Sequence, residues 1–309
     1  MSNVIWPSLP PDQLKKAEES TLQRELQWLL RSLQGTFTTL KDGLEECSTL
    51  LAPIEPGSTL VLSSMRSENV KGFITRVGSR IVKADIQLRF ATLPPPPKQQ
   101  SYSLRLSTQA SAPSFMIPQL TNTRNLLAQA LDVIDTGRWT GNSHDASFIS
   151  GQLRLLLDLI LEAKQSLKGS DELINKWYEN PLDERTFDPP LPQNLALNLS
   201  ISENAIVAHF RTLHLAQQNT PTSFTTEALS GLSIRQRLGL AARLPDHDES
   251  DRVFSFRGQE VRVREKARVE SQDPSLMALM AKLNALEYGV KIARRALAAV
   301  MDIDDSEND

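Results

Sequence analysis

Residues 274–300 read PSLMALMAKLNALEYGVKIARRALAAV, and the spacing of the apolar positions in this stretch decides the fold. Leu276, Leu279, Leu283, Leu286, Val290, Ala293, Leu297 and Val300 advance in steps of 3, 4, 3, 4, 3, 4 and 3. That alternation keeps one face of an α-helix apolar for more than three heptads, as in a coiled coil. Pro274 suits the first helical position, where no backbone donor is needed, and Asp273 before it can accept the first-turn amides. A stripe this long needs helical partners, and the chain supplies them far away. Leu26, Leu29, Leu33, Phe37, Leu40, Leu44, Cys47 and Leu51 follow nearly the same steps in a helix that Asp12 would cap and Pro53 and Pro56 would end. Gly35 and Gly43 interrupt it, each at about 1 kcal/mol against alanine, which points to a kink or a close helix approach. Leu120, Leu127, Leu131 and Ile134, between Pro118 and Gly137, predict a third helix. Leu153, Leu156, Ile160, Ala163 and Leu167, before Gly169, predict a fourth, forming a helical hairpin with the third.

Between these segments the period changes to two. Val82, Ala84, Ile86, Leu88 and Phe90 alternate with Lys83, Asp85, Gln87 and Arg89, as in a half-buried strand. Phe73, Thr75 and Val77 alternate ahead of it, with Gly78-Ser79 as the turn, and Tyr102, Leu104 and Leu106 follow. Residues 58–108 thus read as an antiparallel meander. Leu195, Leu197, Leu199 and Ile201 predict a further strand, with Ile206 to Leu215 as its hairpin partner. Val261, Val263, Ala267 and Val269 alternate with Arg262, Arg264, Lys266 and Arg268. Residues 216–251 are polar and poorly patterned, with one short helix expected near 233–243, and read as an insertion. Segments of one texture can bury their apolar faces only against each other. The expected class is therefore α+β: a discontinuous antiparallel four-helix bundle of coiled-coil type (12–54, 113–180 and 273–303) and an antiparallel β-sheet domain (55–112 and 181–272) in which the strand groups share a sheet. Residues 1–11 and 304–309 are expected to be disordered termini.

Composition excludes several classes. The chain has 34 basic and 37 acidic residues, and five of the acids lie in Asp302 to Asp309. Without that tail 34 bases meet 32 acids, so the body is balanced and no nucleic-acid partner is expected. Cys47 is the only cysteine, which rules out an intramolecular disulfide or a cysteine-based zinc site within one chain. No apolar run approaches the ~20 residues that span a bilayer, and the first residues lack a secretory-signal pattern, so a cytoplasmic protein is expected.

Chemistry-bearing motifs are absent. His209 and His214, five apart on a strand, point to opposite faces, while His144 and His247 sit in separate loops. There is no HExxH, nucleophile elbow or phosphate-binding glycine loop, so no catalytic residue, metal or cofactor is expected. Asn198-Leu199-Ser200 is a formal glycosylation sequon but lies within a strand. Pro94 to Pro97 reads either as a stiff connection or as a polyproline II ligand. The basic face of Arg262, Arg264, Lys266 and Arg268 reads as a solvated strand face or as a site for an acidic partner or anionic membrane. The stripe of Leu276, Leu279, Leu283, Leu286, Val290, Leu297 and Val300 serves either the internal bundle or a partner helix.

Three stretches carry a resemblance. Glu25-Leu26-Gln27-Trp28-Leu29-Leu30 ahead of a long helix resembles the opening of Rogdi-like leucine-zipper proteins. Asn69-Val70-Lys71-Gly72-Phe73 leading into Ala84-Asp85-Ile86-Gln87-Leu88 is similar to the same family. So is Phe187-Asp188-Pro189-Pro190-Leu191-Pro192-Gln193-Asn194-Leu195, continuing through Asn198 and Ile201 to His214. Their order and spacing match the family, whereas the acidic tail and the 216–251 insertion depart from it. The resemblance implies a non-catalytic subunit of the RAVE complex, which promotes assembly of the catalytic sector of the V-ATPase onto its membrane sector. It further implies a helical domain holding both termini, a β-domain, and as partners a large β-propeller subunit and cytosolic V-ATPase subunits. A cytoplasmic protein recruited peripherally to vacuolar or endosomal membranes follows. The alternative function is a generic coiled-coil adaptor in membrane trafficking that homodimerises through its C-terminal helix.

Overall fold

The computed structural model describes residues 10–52, 54–63, 69–138, 145–169, 176–216 and 247–301. Among the described residues four α-helices and two antiparallel sheets make an α+β protein. Pro53, the 233–243 helix, most of the 216–251 insertion, residues 1–9 and the acidic tail lie outside the described residues.

The first helix, α1, is Pro11–Leu51. The carbonyl of Pro10 accepts from the amides of Gln13 and Leu14, both at 2.9 Å. Pro11 thus belongs to the helix rather than to a leader, and Asp12 lies inside the first turn instead of capping it. Its charge still complements the positive helix end. Helix α2 is Pro118–Gly137 and α3 is Ala146–Lys168, whose start is capped by Asp145 Oδ1 accepting from the Phe148 amide at 3.1 Å. Helix α4 is Pro274–Met301. Asp273 caps it as the sequence indicates, with Oδ1 accepting from the Ser275 amide at 3.0 Å.

The first sheet contains β1 (Ser58–Ser63), β2 (Val70–Val77), β3 (Arg80–Leu88) and β4 (Tyr102–Arg105) in that order, with β5 (Phe115–Met116) also paired to β3. Gly78, at φ 61°, makes the expected β2–β3 turn. The second sheet has the order β6-β7-β9-β8, with β6 Leu195–Ser202, β7 Ala205–Leu215, β8 Val253–Phe256 and β9 Gln259–Gln272. The strand groups therefore form two sheets, not a common one. At Ile201 the outer edge of β6 is closed by a side chain: Gln119 Oε1 accepts from the Ile201 amide at 3.1 Å, and Gln119 Nε2 donates to its carbonyl at 3.0 Å. An edge capped in this way cannot extend the sheet there.

Two phases differ from expectation. On β2 Thr75 is buried as expected and Val77 half-buried, but Val70, Ile74 and Arg76 are buried too, while Phe73 is exposed. A register shift between Thr75 and Arg76 accompanies the change, and Ile81 rather than Val82 is buried at the start of β3. On α2 Leu131 is only half-buried, and Leu126, Ala130 and Val133 are buried in addition to Leu120, Leu127 and Ile134.

The chain divides into two compact units, one of Met1–Leu51, Asn122–Gln165 and Ala278–Asp309, the other of Ala52–Thr121 and Ser166–Met277. In the first, α1 and α4 run antiparallel. Lys282 bonds to Glu46, Leu286 lies over Gly43, and Gly289 faces Leu40. A Cβ on Gly43 would sit 2.7 Å from Leu286 Cδ2, so this glycine is the close approach that its position suggested. Gly35 has nothing within 4 Å and serves no such purpose. Phe37 of α1 packs on Gly137 of α2, Lys41 Nζ is 2.6 Å from Asp135 Oδ1, and Lys164 of α3 pairs with Glu287 of α4.

Candidate interaction surfaces

Most of the α4 stripe is buried. Leu276, Leu279, Leu283, Leu286, Val290, Ala293 and Leu297 are buried, and Val300 is half-buried. Leu276 lies in the second unit and the rest in the first. The opposite face of α4 exposes Met277, Tyr288 and Ile292. On α1 residues 11–25 are all exposed and Leu26 and Leu29 are only half-buried, so its stripe runs on beyond the packed part of the helix.

The basic face of β9 is half-buried at Arg262, Arg264 and Lys266 and exposed at Arg268. Among the described residues, two of its four cations are in ion pairs. Lys266 Nζ lies 3.0 Å from Asp248 Oδ1 and 2.6 Å from Glu249 Oε1, and Arg268 lies 3.1 Å from Glu270. An acidic partner at Lys266 or Arg268 would therefore compete with acids already in place.

Behind it lies a polar centre that patterning does not reveal. Arg211 of β7 is 1 % exposed and grips Glu249 with two bonds, Nε to Oε2 at 2.7 Å and Nη2 to Oε1 at 2.9 Å. Its guanidinium stacks 4.9 Å from the Trp177 ring, at the edge of an apolar cluster with Tyr178, Phe254, Phe256, Val261 and Leu213. Burial alone would raise the Glu249 carboxyl, but bonds from Arg211 and Lys266 outweigh it and hold it below its ordinary range. Asp248 is lowered chiefly by its bond from Lys266. Only one signal could have pointed here: Arg211 stands in a strand otherwise too apolar to leave a charge unpaired. Its partner Glu249 lies in a segment without pattern.

The described histidines do not converge on a metal site. His209 is buried with both ring nitrogens unpartnered, and it is pushed down to about 3 by burial and then by Arg211, Arg268 and Lys266. His214 Nδ1 sits 3.1 Å from the Arg262 carbonyl, while Nδ1 of His247 accepts from the Glu249 amide at 3.2 Å. His144 lies outside the described residues. Asn198 stands opposite His209 in the β6–β7 pair. Cys47 is buried and its thiol is raised to about 11 by that burial, which makes it unreactive. Among the described residues no cluster of three or more His, Cys, Asp or Glu could hold a metal, and no helix is long and apolar enough to cross a membrane.

The comparisons with known proteins agree with one another. "Regulator of V-ATPase in vacuolar membrane protein 2" of Schizosaccharomyces pombe is 24% identical over 306 residues, covering 88% of this chain and 92% of that protein. "Protein rogdi homolog" of Danio rerio is 24% identical over 224 residues, 68% of this chain and 74% of the relative. The human protein of that name is 25% identical over 223 residues, 67% and 72% of the two chains. The family profile described as "Rogdi leucine zipper containing protein" matches residues 25–298, which takes in α1 from Glu25, both sheets and nearly all of α4. The chain belongs to the Rogdi leucine-zipper family.

Proposed function

We propose that this chain is a non-catalytic scaffold subunit that regulates the V-ATPase, as part of a RAVE-type complex promoting assembly of the pump's catalytic sector onto its membrane sector. The observation that carries the reading is the match to the Schizosaccharomyces pombe regulator, which extends over 88% of this chain and 92% of that one. In this reading 12–54, 113–180 and 273–303 act as one helical domain, a coiled-coil-like four-helix bundle. Residues 55–112 and 181–272 act as the β-domain. The stripe from Leu276 to Val300 maintains the bundle, and burial of Leu279, Leu283 and Val290 favours that use over an external zipper. Partners are a large β-propeller subunit and cytosolic V-ATPase subunits, and the chain reaches vacuolar or endosomal membranes peripherally through them. The face of Arg262, Arg264, Lys266 and Arg268 is a secondary contact.

Affinity co-purification from cells tests the proposal. Recovery of a large propeller protein together with V-ATPase subunits is expected, and recovery of neither would sink it. Light scattering at micromolar concentration should give a monomer. A dimer would turn the reading toward a self-associating adaptor.

A further inference from the structure

Residues 93–98 read Leu-Pro-Pro-Pro-Pro-Lys, and the structure gives this run a shape and two anchors. Each proline fixes its own φ near −65°, and each residue before a proline is driven to extended backbone, so 94–96 follow a polyproline II path that Leu93 leads into and Pro97 leaves by a turn. That helix has three residues per turn, which sorts the run into three ridges: 93 with 96, 94 with 97, and 95 with 98. Burial follows the same sorting. Leu93 is buried and Pro96 half-buried, while Pro94, Pro95, Pro97 and Lys98 are exposed.

Both ends are fixed. Before the run, the Glu265 carboxylate accepts from the Ala91 amide at 3.2 Å, the Thr92 amide at 2.7 Å and the Thr92 hydroxyl. Thr92 and Thr212 hydroxyls also meet at 2.6 Å. After it, the Gln99 amide donates to the Pro96 carbonyl at 3.1 Å, with Lys98 at φ 73° ending the extended path. Lys98 makes no ion pair with any described residue.

We propose that Pro94–Lys98 is a docking ligand for an SH3-type domain. Pro94 and Pro97 would fill its aromatic-lined groove, and Lys98 would meet an acid at the groove's end. An inward ridge held by Leu93 and two outward proline ridges leave the binding face preformed, so little ordering entropy opposes docking. This inference is independent of any role at the proton pump.

An array of purified SH3 domains, with WW and EVH1 domains beside them, is probed with the full-length chain, and retained domains are titrated by calorimetry. At least one SH3 domain is expected to bind. Pro94→Ala/Pro97→Ala should weaken binding at least about tenfold, as loss of a central anchor does. Lys98→Glu should weaken it as well. A synthetic peptide of residues 92–99 should bind more weakly than the whole chain, because it lacks the Glu265 anchor. All substituted side chains are exposed, so melting temperatures should not move. If the proline variant nonetheless melts lower, the Lys98→Glu variant decides. No SH3 domain retained, binding indifferent to these substitutions, or retention by WW or EVH1 domains alone would each overturn the proposal. A peptide as tight as the whole chain would overturn the preformed face.

Discussion

Asp273 serves two neighbours with one carboxylate. Oδ1 caps α4 at Ser275, while Oδ2 accepts from Arg76 Nε at 2.8 Å, both side chains being nearly fully buried. Asp273→Ala should therefore lose about 3–5 kcal/mol, most of it from leaving the Arg76 charge buried without a counter-ion, and chemical denaturation measures it. The same pair explains why β2 is misread. Alternation places an arginine outward by default, and nothing local announces an ion partner 197 residues away. His209 gives a second measurable effect. Its folded value is down at about 3 against an ordinary 6.5, so below pH 6.5 the unfolded chain takes up a proton that the folded chain refuses. Stability should then fall by about 1.4 kcal/mol per pH unit as pH drops from 6.5 toward 3. Between pH 6.5 and 4.5, above the ordinary values of Glu249 and Asp248, His209→Leu should flatten most of that fall. His214, lowered in the same direction by burial, leaves a residual slope. Denaturant midpoints across this range provide the test, and an unchanged slope refutes it.

Helices were the most legible elements, because a run of 3- and 4-residue steps has few other structural solutions. What such steps do not encode is where the partner ends, so Leu26 and Leu29 continue the α1 stripe while staying half-buried. The two interrupting glycines separate cleanly by what surrounds them. Gly35→Ala adds a methyl group in open space and should stabilise by about 0.5–1 kcal/mol. Gly43→Ala must displace Leu286 and should yield no such gain. Thermal melts of the two variants distinguish them. On α4, Leu283 and Leu286 are buried mid-stripe, and truncating either to alanine should destabilise by about 2–5 kcal/mol. Leu283→Asp/Leu286→Asp places two charges there and exceeds what a total stability of about 5–15 kcal/mol can absorb. Circular dichroism should show loss of helix, and an unchanged melting temperature would mean that the stripe supports nothing internal.

For the whole molecule, the α+β class was legible from the alternation of textures, whereas the split into two sheets was not. Strand periodicity shows which face is buried but not which edge pairs with which, and β3 and β7 each take both neighbours from their own group. The Arg211–Glu249 pair was invisible for a related reason, since half of it lies in a segment with no periodicity to read. Deleting residues 273–309 should remove the partner of Leu40, Gly43 and Glu46 at one stroke. Limited proteolysis should then cut within α1, which the intact chain protects from about Leu30 onward. The α1–α4 pairing also has a consequence for the order of synthesis. Glu46 meets Lys282 across 236 residues, so on the ribosome α1 waits for α4 while the chain between them is made. At about 5–20 residues per second that delay lasts about 12–50 s. Throughout it, the face of α1 at Leu40 and Gly43 lacks the α4 residues that cover it, so the nascent chain is a client for holdase chaperones until α4 is made.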